Sequence, residues 1–146
     1  MGHTCNSIII NAPYDLVFDV SNDIVRWTEL FGGEYKKAEI VEKKGNLLTF
    51  RLTDDEEKSW VSWRLLFKDE YFTYSQRHDP LFPFKYMKII WLYTLKPEGT
   101  EMTWIQHFEM DEKAKFNDQQ VEGFINKHSQ DNLKIFKELI EKEASK

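Results

Sequence analysis

Ligands for a metal ion are scarce in this sequence. Cys5 is the only cysteine, which excludes an intramolecular disulfide and a metal site built from several thiolates. The four histidines, His3, His78, His107 and His128, are far apart along the chain, and no two of them have the spacing of a zinc motif. We therefore expect neither a metal site nor another cofactor.

Long apolar runs and an excess of positive charge are also lacking. The longest wholly apolar runs, residues 8–10 and 89–93, are far shorter than the roughly 20 residues that a transmembrane helix needs. The 25 Asp and Glu residues outnumber the 20 Lys and Arg residues, and the net charge is −5. This balance offers no basic face to nucleic acid. Residues 1–6 lack the features of a signal peptide, so we expect a cytosolic protein without a membrane span.

Aromatic side chains, by contrast, are abundant. The 146 residues include 5 Trp, 6 Tyr and 11 Phe, and 41% of the chain is hydrophobic, which is enough to build the core of one globular domain. The sequence has no internal repeat, no low-complexity tract and no flexible linker, and its four prolines lie at the borders of predicted elements. We predict a single domain over residues 1–146.

The hydrophobic periodicity predicts an α+β fold. A strand over residues 4–10 ends at a proline turn, and apolar residues at helical spacing then predict two short helices over 14–20 and 23–30. Aromatic and β-branched runs separated by tight polar turns predict six antiparallel strands between residues 35 and 110. A stripe with residues three or four apart predicts one long helix over 118–143: Ile125, Ser129, Asn132, Phe136 and Leu139.

A curved sheet that encloses this helix would leave a pocket between the two. The predicted strand over residues 59–67 is largely apolar on both faces, and Arg64 shares one face with Trp60 and Ser62. A guanidinium in such surroundings has two interpretations. Either Arg64 reaches the rim or pairs with a carboxylate, or it faces the pocket and stabilises an oxyanion there.

Four further polar residues and one loop are candidates for the pocket. His107 lies on an apolar strand face and either titrates in the pocket or is a hydrogen-bonded core residue. Asn132, and His128 one turn earlier, either line the pocket or anchor the helix to the sheet. Tyr35 either reaches the pocket mouth or is an ordinary edge aromatic. The apolar loop over 78–87 either contacts a ligand or packs on the end of the sheet.

Several segments together resemble a known family over essentially the whole chain. They are residues 6–13, 16–20, 22–24, Trp27, 29–31, 60–64, 86–87, Trp91, 99–104 and 126–133. The sequence resembles the tetracenomycin-type aromatase/cyclases, which are polyketide cyclases of the START/Bet v 1 helix-grip superfamily. The resemblance implies a curved seven-stranded antiparallel sheet around a long C-terminal helix, with two short helices after the first strand.

The resemblance also implies a set of site residues. Ser62, Arg64, Tyr35 and Asn132 match family residues that line the interior cavity. His107 stands where relatives have a carboxylate or a histidine, and His128 stands where a small polar residue is expected. We predict catalytic roles for Arg64, Tyr35, His107 and Ser62. We predict substrate contacts for Asn132, His128, Trp27, Phe31, Trp63, Tyr86, Met87 and Trp91.

The function that the resemblance implies is cyclisation and aromatisation of a poly-β-ketone chain delivered by an acyl carrier protein. Arg64 would stabilise the enolate and aldol oxyanions, and Tyr35 or His107 would protonate the departing hydroxyl. Since a fold does not determine a function, a non-enzymatic carrier of a quinone or lipid is the main alternative. A stress-response domain that acts on a partner protein has less support, because no basic or apolar docking helix is evident.

Overall fold

The elements follow one another in the predicted order. The computed structural model describes residues 1–79 and 82–146. The strands are β1 (Gly2–Ile10), β2 (Tyr35–Lys44), β3 (Leu47–Asp54), β4 (Ser59–Phe67), β5 (Phe72–Arg77), β6 (Phe84–Lys96) and β7 (Gly99–Met110). The α-helices are α1 (Tyr14–Ser21), α2 (Trp27–Leu30) and α3 (Asp118–Ala144), and two short 3₁₀ turns span Ile24–Arg26 and Lys68–Glu70.

All seven strands form one antiparallel sheet in the order β1-β7-β6-β5-β4-β3-β2. Consecutive strands pair from β2 to β7 because tight turns connect them, and β1 returns to pair with β7. The helix α3 packs against β1 and β7 and contacts α1 and α2. This arrangement confirms the predicted α+β helix-grip fold.

The sequence of α3 explains where the helix begins and which face it buries. The side chain of Asn117 accepts a hydrogen bond from the Gln120 amide at 2.9 Å, and the Gln120 side chain accepts one from the Asn117 amide at 3.0 Å. This capping box satisfies amides that the first helical turn leaves free. The buried face consists of Val121, Ser129, Asn132, Leu133, Phe136 and Ile140. Among the described residues, no helix combines the length and apolar character needed to cross a membrane.

The hydrophobic core has two parts along α3. The larger part packs Leu133 and Phe136 against the sheet and short helices, and a smaller part packs Val121 against Phe108. Burying one such side chain fully contributes about 1.5–3 kcal/mol. Ser129 of α3 lies between the two parts and borders a cavity. The core therefore holds α3 on both sides of this cavity.

Three boundaries differ from the predictions. The strand β1 begins at Gly2, because a residue without a side chain can pair opposite Phe108, whose ring would lie 2.2 Å from an added Cβ. The second predicted helix divides into a 3₁₀ turn and α2. Residues 84–87 of the predicted loop belong to β6, where pairing with β7 orders them. Pro80 and Leu81 of that loop lie outside the described residues.

Candidate active site

A cavity of about 170 Å³ lies between α3, the short helices and the sheet. A cavity of roughly 150 Å³ in another protein holds one benzene molecule, so this volume suits a single aromatic ring. The apolar wall includes Trp27, Phe31, Phe50, Leu52, Trp60, Met87, Ile89, Trp91 and Trp104. The polar side chains include those of Tyr35, Ser62, Arg64, Ser75, Arg77, Gln106, His128 and Ser129.

The aromatic rings of the wall contact one another as well as the cavity. Trp91 and Trp104 are stacked, with ring centroids 4.7 Å apart and planes within 7° of parallel. Trp27 lies against Trp91 at 5.8 Å, and Phe31 meets Trp27 edge-on at 5.1 Å. Offset-stacked and edge-to-face pairs are the favoured geometries of such rings. Each ring therefore restricts the orientation of its neighbour, and the aromatic rings line the cavity at defined angles to one another.

Arg64 is a buried cation in this wall, with 1% of its surface exposed. Its Nε donates to Asn22 Oδ1 at 2.8 Å, and its Nη2 donates to Thr73 Oγ1 at 2.7 Å. The guanidinium carbon lies 4.1 Å from the Trp91 ring centroid, in a cation–π contact. Burial lowers the pKa of Arg64 to about 10, and the nearby Tyr93 hydroxyl opposes this effect. Arg64 therefore stays charged at neutral pH.

No carboxylate oxygen of residues 1–79 and 82–146 lies within 4.0 Å of the Arg64 nitrogens, and no carboxylate is among the groups that shift its pKa. Its burial also shows that the side chain does not reach the rim of the fold. Both structural interpretations of Arg64, an ion pair or a surface guanidinium, are therefore wrong. Neutral hydrogen-bond partners hold the charged guanidinium in an aromatic cavity.

The partners of Arg64 belong to a buried polar network. Asn22 Nδ2 donates to the Phe18 carbonyl at 2.8 Å and to the Tyr93 hydroxyl at 3.0 Å. The Tyr93 hydroxyl also shares a hydrogen bond of 2.7 Å with Ser21 Oγ. Burial raises the pKa of Tyr93, so this hydroxyl stays neutral. Because both acceptors lie on the NH₂ side of Asn22, its oxygen is directed at Arg64.

The partly exposed residues Tyr35, Trp60, Arg77 and His128 form what we call the rim of the cavity. The guanidinium carbon of Arg77 lies 4.8 Å from the Trp60 ring centroid. Burial lowers the pKa of Arg77, and Tyr35 opposes this effect. Burial raises the pKa of the Tyr35 hydroxyl, and Glu34 raises it further. Tyr35 is therefore a neutral hydrogen-bond donor at neutral pH.

An ion pair at the rim links α3 to the loop before β2. His128 Nε2 bonds to the Glu34 carboxylate, and this bond is the main reason that the pKa of His128 is raised. Asn132 Nδ2 lies 3.2 Å from His128 Nδ1 and holds the ring from the next helical turn. Gly32 and Gly33 have φ angles of +66° and +85°. This left-handed backbone turns the chain so that Glu34 meets His128.

Comparison with known proteins places this geometry in a family. Residues 1–141 match the family described as polyketide cyclase/dehydrase and lipid transport. The chain belongs to this family. A Streptomyces cyaneus protein named as a candidate polyketide cyclase is 40% identical over 145 residues, which cover 96% of this chain and 94% of that protein. A Streptomyces halstedii protein with the same name is 45% identical over 109 residues, 71% of this chain and 98% of that protein.

A solved structure shows the same fold at lower identity. The crystal structure of the Zhui aromatase/cyclase from Streptomyces sp. R1128 superposes with a TM-score of 0.77, at 21% identity, over 98% of this chain and 93% of that one. The predicted resemblance to the polyketide aromatase/cyclases is thus confirmed at the level of family and fold. Because the family description covers both cyclisation and lipid transport, residues of this chain must distinguish the two.

Within this family member, the structure brings together most of the predicted site residues. Those that line the cavity are Arg64, Ser62, Tyr35, His128, Trp27, Phe31, Met87 and Trp91. Asn132 is buried behind His128 and is not among the lining residues, because His128 and Ser129 of the preceding turn face the cavity. Asn132 therefore holds His128 within its own helix, which is neither of its two predicted roles, lining the pocket or anchoring the helix to the sheet.

Three predicted site residues lie on the opposite face of the sheet. His107 contacts His3 of β1, with the two Nδ1 atoms 3.4 Å apart. Trp63 packs edge-on against Tyr74 at 5.5 Å, and Tyr86 lies 5.6 Å from the Lys88 ammonium. The predictions that these residues face the pocket are wrong. Side chains alternate along a strand, and the facing neighbours Ser62, Met87 and Gln106 occupy the cavity wall instead.

Several polar residues that line the cavity were not identified from the sequence, among them Arg77 and Gln106. Arg77 shares a face of β5 with Thr73 and Ser75. Gln106 shares a face of β7 with Met102 and Trp104, and its carbonyl oxygen accepts hydrogen bonds of 3.2 Å from Thr4 and Ser129. Gln106 could have been placed in the cavity wall from the sequence, because its face of β7 carries the bulkier apolar residues and large apolar residues face a core. Arg77 had no comparable signal, because it ends a strand.

Proposed function

We propose that this chain catalyses aldol cyclisation and dehydration of a poly-β-ketone carried by an acyl carrier protein. The observation that carries the proposal is Arg64, a buried cation without a carboxylate partner in an aromatic cavity. A charge of this kind stabilises negative charge that develops on a bound molecule. Enolate and aldol oxygens are the anions that this reaction produces.

The reaction begins with removal of a proton from a methylene group between two ketones, for which a weak base suffices. The enolate carbon then attacks another ketone of the same chain, and Arg64 stabilises the resulting oxyanion. The aromatic walls favour the folded conformer in which the two carbons meet. At the rim, we assign the neutral form of His128 as the base that accepts the methylene proton and Tyr35 as the acid of the later step. His107 has no part in this scheme, because it lies on the outer face.

Loss of water completes the aromatic ring. The departing hydroxyl needs a proton, and we assign Tyr35 as the donor because its protonated hydroxyl lies at the rim of the cavity. Its raised pKa makes it a weak acid, so the proton moves as the carbon–oxygen bond breaks and the leaving oxygen becomes the stronger base. Ser62 and Gln106 add hydrogen-bonding groups to the cavity wall. Each step is a proton transfer, a carbon–carbon bond formation or a loss of water, so the scheme uses no oxidant or reductant.

The cavity volume supports closure of one ring at a time. About 170 Å³ accommodates a single ring and not a folded chain of several rings. The rest of the chain would extend past the rim toward the carrier protein. Delivery by an acyl carrier protein and a cytosolic location both stay predictions.

The alternative function is a carrier of a hydrophobic ligand, which the family description also allows. A carrier needs an apolar cavity with few buried donors. Ser62, Arg64 and Gln106 in the wall of a cavity this small favour chemistry over transport.

Reconstitution with a ketosynthase, its acyl carrier protein and malonyl units tests the proposal. The wild type should raise the share of aromatised product over spontaneously folded by-products, and Arg64→Ala should return the mixture to that of the reaction without cyclase. The matched control is Arg51→Ala, which removes an exposed arginine from β3. A product mixture unchanged by the wild type, together with tight binding of a quinone or lipid, would establish the carrier function instead.

A further inference from the structure

In the part of the chain that the structure describes, only neutral groups hold the guanidinium of Arg64. Asn22 accepts from Nε, Thr73 accepts from Nη2, and the neutral Tyr93 hydroxyl lies beside both. Asn22 and Thr73 are 7% and 0% exposed, so water contributes little at these positions. The usual partner of a buried arginine is a carboxylate, which neutralises the charge that it orients. Neutral acceptors orient the guanidinium and leave its charge in place.

The orientation of each acceptor is itself fixed. Asn22 cannot rotate its NH₂ group toward Arg64 without losing its hydrogen bonds to the Phe18 carbonyl and the Tyr93 hydroxyl. Thr73 is held in β5 between β4 and β6, opposite Leu66 and Trp91. Asn22 and Thr73 together form what we call the cradle of Arg64. These contacts make the cradle rigid before any ligand binds. Rigid donors stabilise developing charge more effectively than donors that must reorganise.

The remaining donors of Arg64 are available to a ligand. A guanidinium has five N–H groups, and hydrogen bonds to Asn22 and Thr73 use two of them. The Tyr93 hydroxyl, which also bonds to Asn22 and Ser21, takes at most one more of these donors. Arg64 also forms part of the cavity wall. A ligand oxygen beside the guanidinium would therefore meet unused donors and an uncompensated charge.

We propose that Asn22 and Thr73 are positioning residues that keep Arg64 oriented and unneutralised, so that the cavity binds enolate and phenolate oxygens in preference to neutral ketones and phenols. The inference rests on the proposed function and names the protonation state in which this site takes its ligand. The neutrality of Asn22 is then a functional feature, because an aspartate at this position would pair with the guanidinium and cancel its charge, and would also lose the hydrogen bond to the Phe18 carbonyl.

A one-ring phenol tests the inference without any polyketide. 4-Nitrophenol changes its absorbance on ionisation, so a pH titration gives its pKa when free and when bound. The wild type should bind the phenolate about tenfold more tightly than the phenol, which lowers the pKa of the bound probe by about one unit. Asn22→Asp should abolish this preference. Thr73→Val removes the acceptor at nearly constant volume and should weaken the preference for phenolate. Thr73→Ser keeps the hydroxyl and should retain that preference.

The outcomes separate a positioning role from a structural one. A residue that only supports the fold would lower the melting temperature of Thr73→Val and leave the pKa of the bound probe unchanged, which would overturn the inference. Failure of the wild type to bind the probe, or binding with an unshifted pKa, would overturn it too. If Asn22→Asp does not fold, the two Thr73 variants decide the question.

The cyclisation assay keeps this inference distinct from the proposed function. Thr73→Val should lower kcat about tenfold with little change in KM, because oxyanion stabilisation acts in the transition state, and Thr73→Ser should recover it. A wild type with a shifted probe pKa but no cyclase activity would leave the cradle in place and refute the proposed function. If the wild type is an active cyclase and Thr73→Val and Thr73→Ser both behave like it, the positioning role of the cradle is refuted and the proposed function stands.

Discussion

Single residues of the cavity take their chemical character from burial. Arg64 keeps its charge because its pKa, lowered to about 10, remains well above neutral pH. Tyr35 keeps its proton because burial and Glu34 both raise its pKa. The two groups therefore have different tasks at neutral pH. Arg64 can stabilise an oxyanion, and Tyr35 can donate a proton to a leaving hydroxyl.

Replacement of Tyr35 by Phe should separate the two halves of the reaction. The variant keeps the ring and loses the proton donor, so carbon–carbon bond formation should continue while dehydration slows by about 10²-fold. Mass spectrometry should then detect a cyclised product that retains one molecule of water. Tyr74→Phe is the matched control, because Tyr74 lies on the outer face of the sheet against Trp63. Equal slowing of both steps in Tyr35→Phe would show that Tyr35 only positions the substrate.

At the scale of elements, the contact between α3 and the loop before β2 depends on pH. The pKa of His128 is raised above its ordinary value of about 6.5 by Glu34. A raised pKa in the folded state contributes stability that is present below the unfolded pKa and is lost as pH rises through the folded pKa. The His128–Glu34 pair should therefore stabilise the protein in mildly acidic solution and contribute little in alkaline solution.

A double-mutant cycle with His128→Gln and Glu34→Gln measures this contribution. The coupling free energy from urea unfolding should be about 0.5–1 kcal/mol near pH 6, since the His128 side chain is 55% exposed. It should fall toward zero as the pH rises through the raised pKa of His128. A coupling energy that does not change with pH would show that the two side chains interact by packing rather than by charge.

Elements and faces could be predicted from this sequence to different degrees. Alternation along β4 was enough to place Ser62 and Arg64 on one face, and the polar turns were enough to divide β2 through β7. The prediction that His107 faces the pocket is wrong, because both faces of β7 carry apolar residues and a histidine alone does not indicate which face is buried. Met102, Trp104 and Phe108 were the better guide, since their combined bulk favours burial.

The partners of Arg64 could not be predicted by such reasoning. Asn22 ends α1 and Thr73 lies in β5, 42 and 9 residues away from Arg64 along the chain. Pairing of β4 with β5 places Thr73 beside Arg64, and the packing of α1 on the sheet places Asn22 there. Local periodicity contains no information about the register of that pairing or about the packing of α1. In the sequence, Asn22 looks like an ordinary residue at the end of a helix. Its hydrogen bond to Arg64 is evident only in the folded structure.

The whole molecule combines a packed core with a cavity that the core does not fill. Phe50 and Phe136 are at most 1% exposed, while Arg64 and Ser62 place polar groups where a protein built only for stability would place apolar ones. Buried charges replaced by apolar side chains of similar volume are often neutral or stabilising by about 1–4 kcal/mol. We therefore expect the polar groups of the cavity to add little net stability to the fold.

Replacement of Arg64 by Met tests how much the buried charge contributes to the free energy of unfolding. Removal of the desolvated charge favours folding, while loss of the hydrogen bonds to Asn22 and Thr73 opposes it by about 1–3 kcal/mol. The two effects should nearly cancel, so the free energy of unfolding should change by less than about 2 kcal/mol, whereas phenolate binding and cyclisation should be lost. Arg51→Met is the control for the substitution itself, because Arg51 is exposed on β3. A loss of about 4 kcal/mol or more in Arg64→Met alone would mean that the guanidinium network holds the fold together, since losses of that size arise when a buried network is broken.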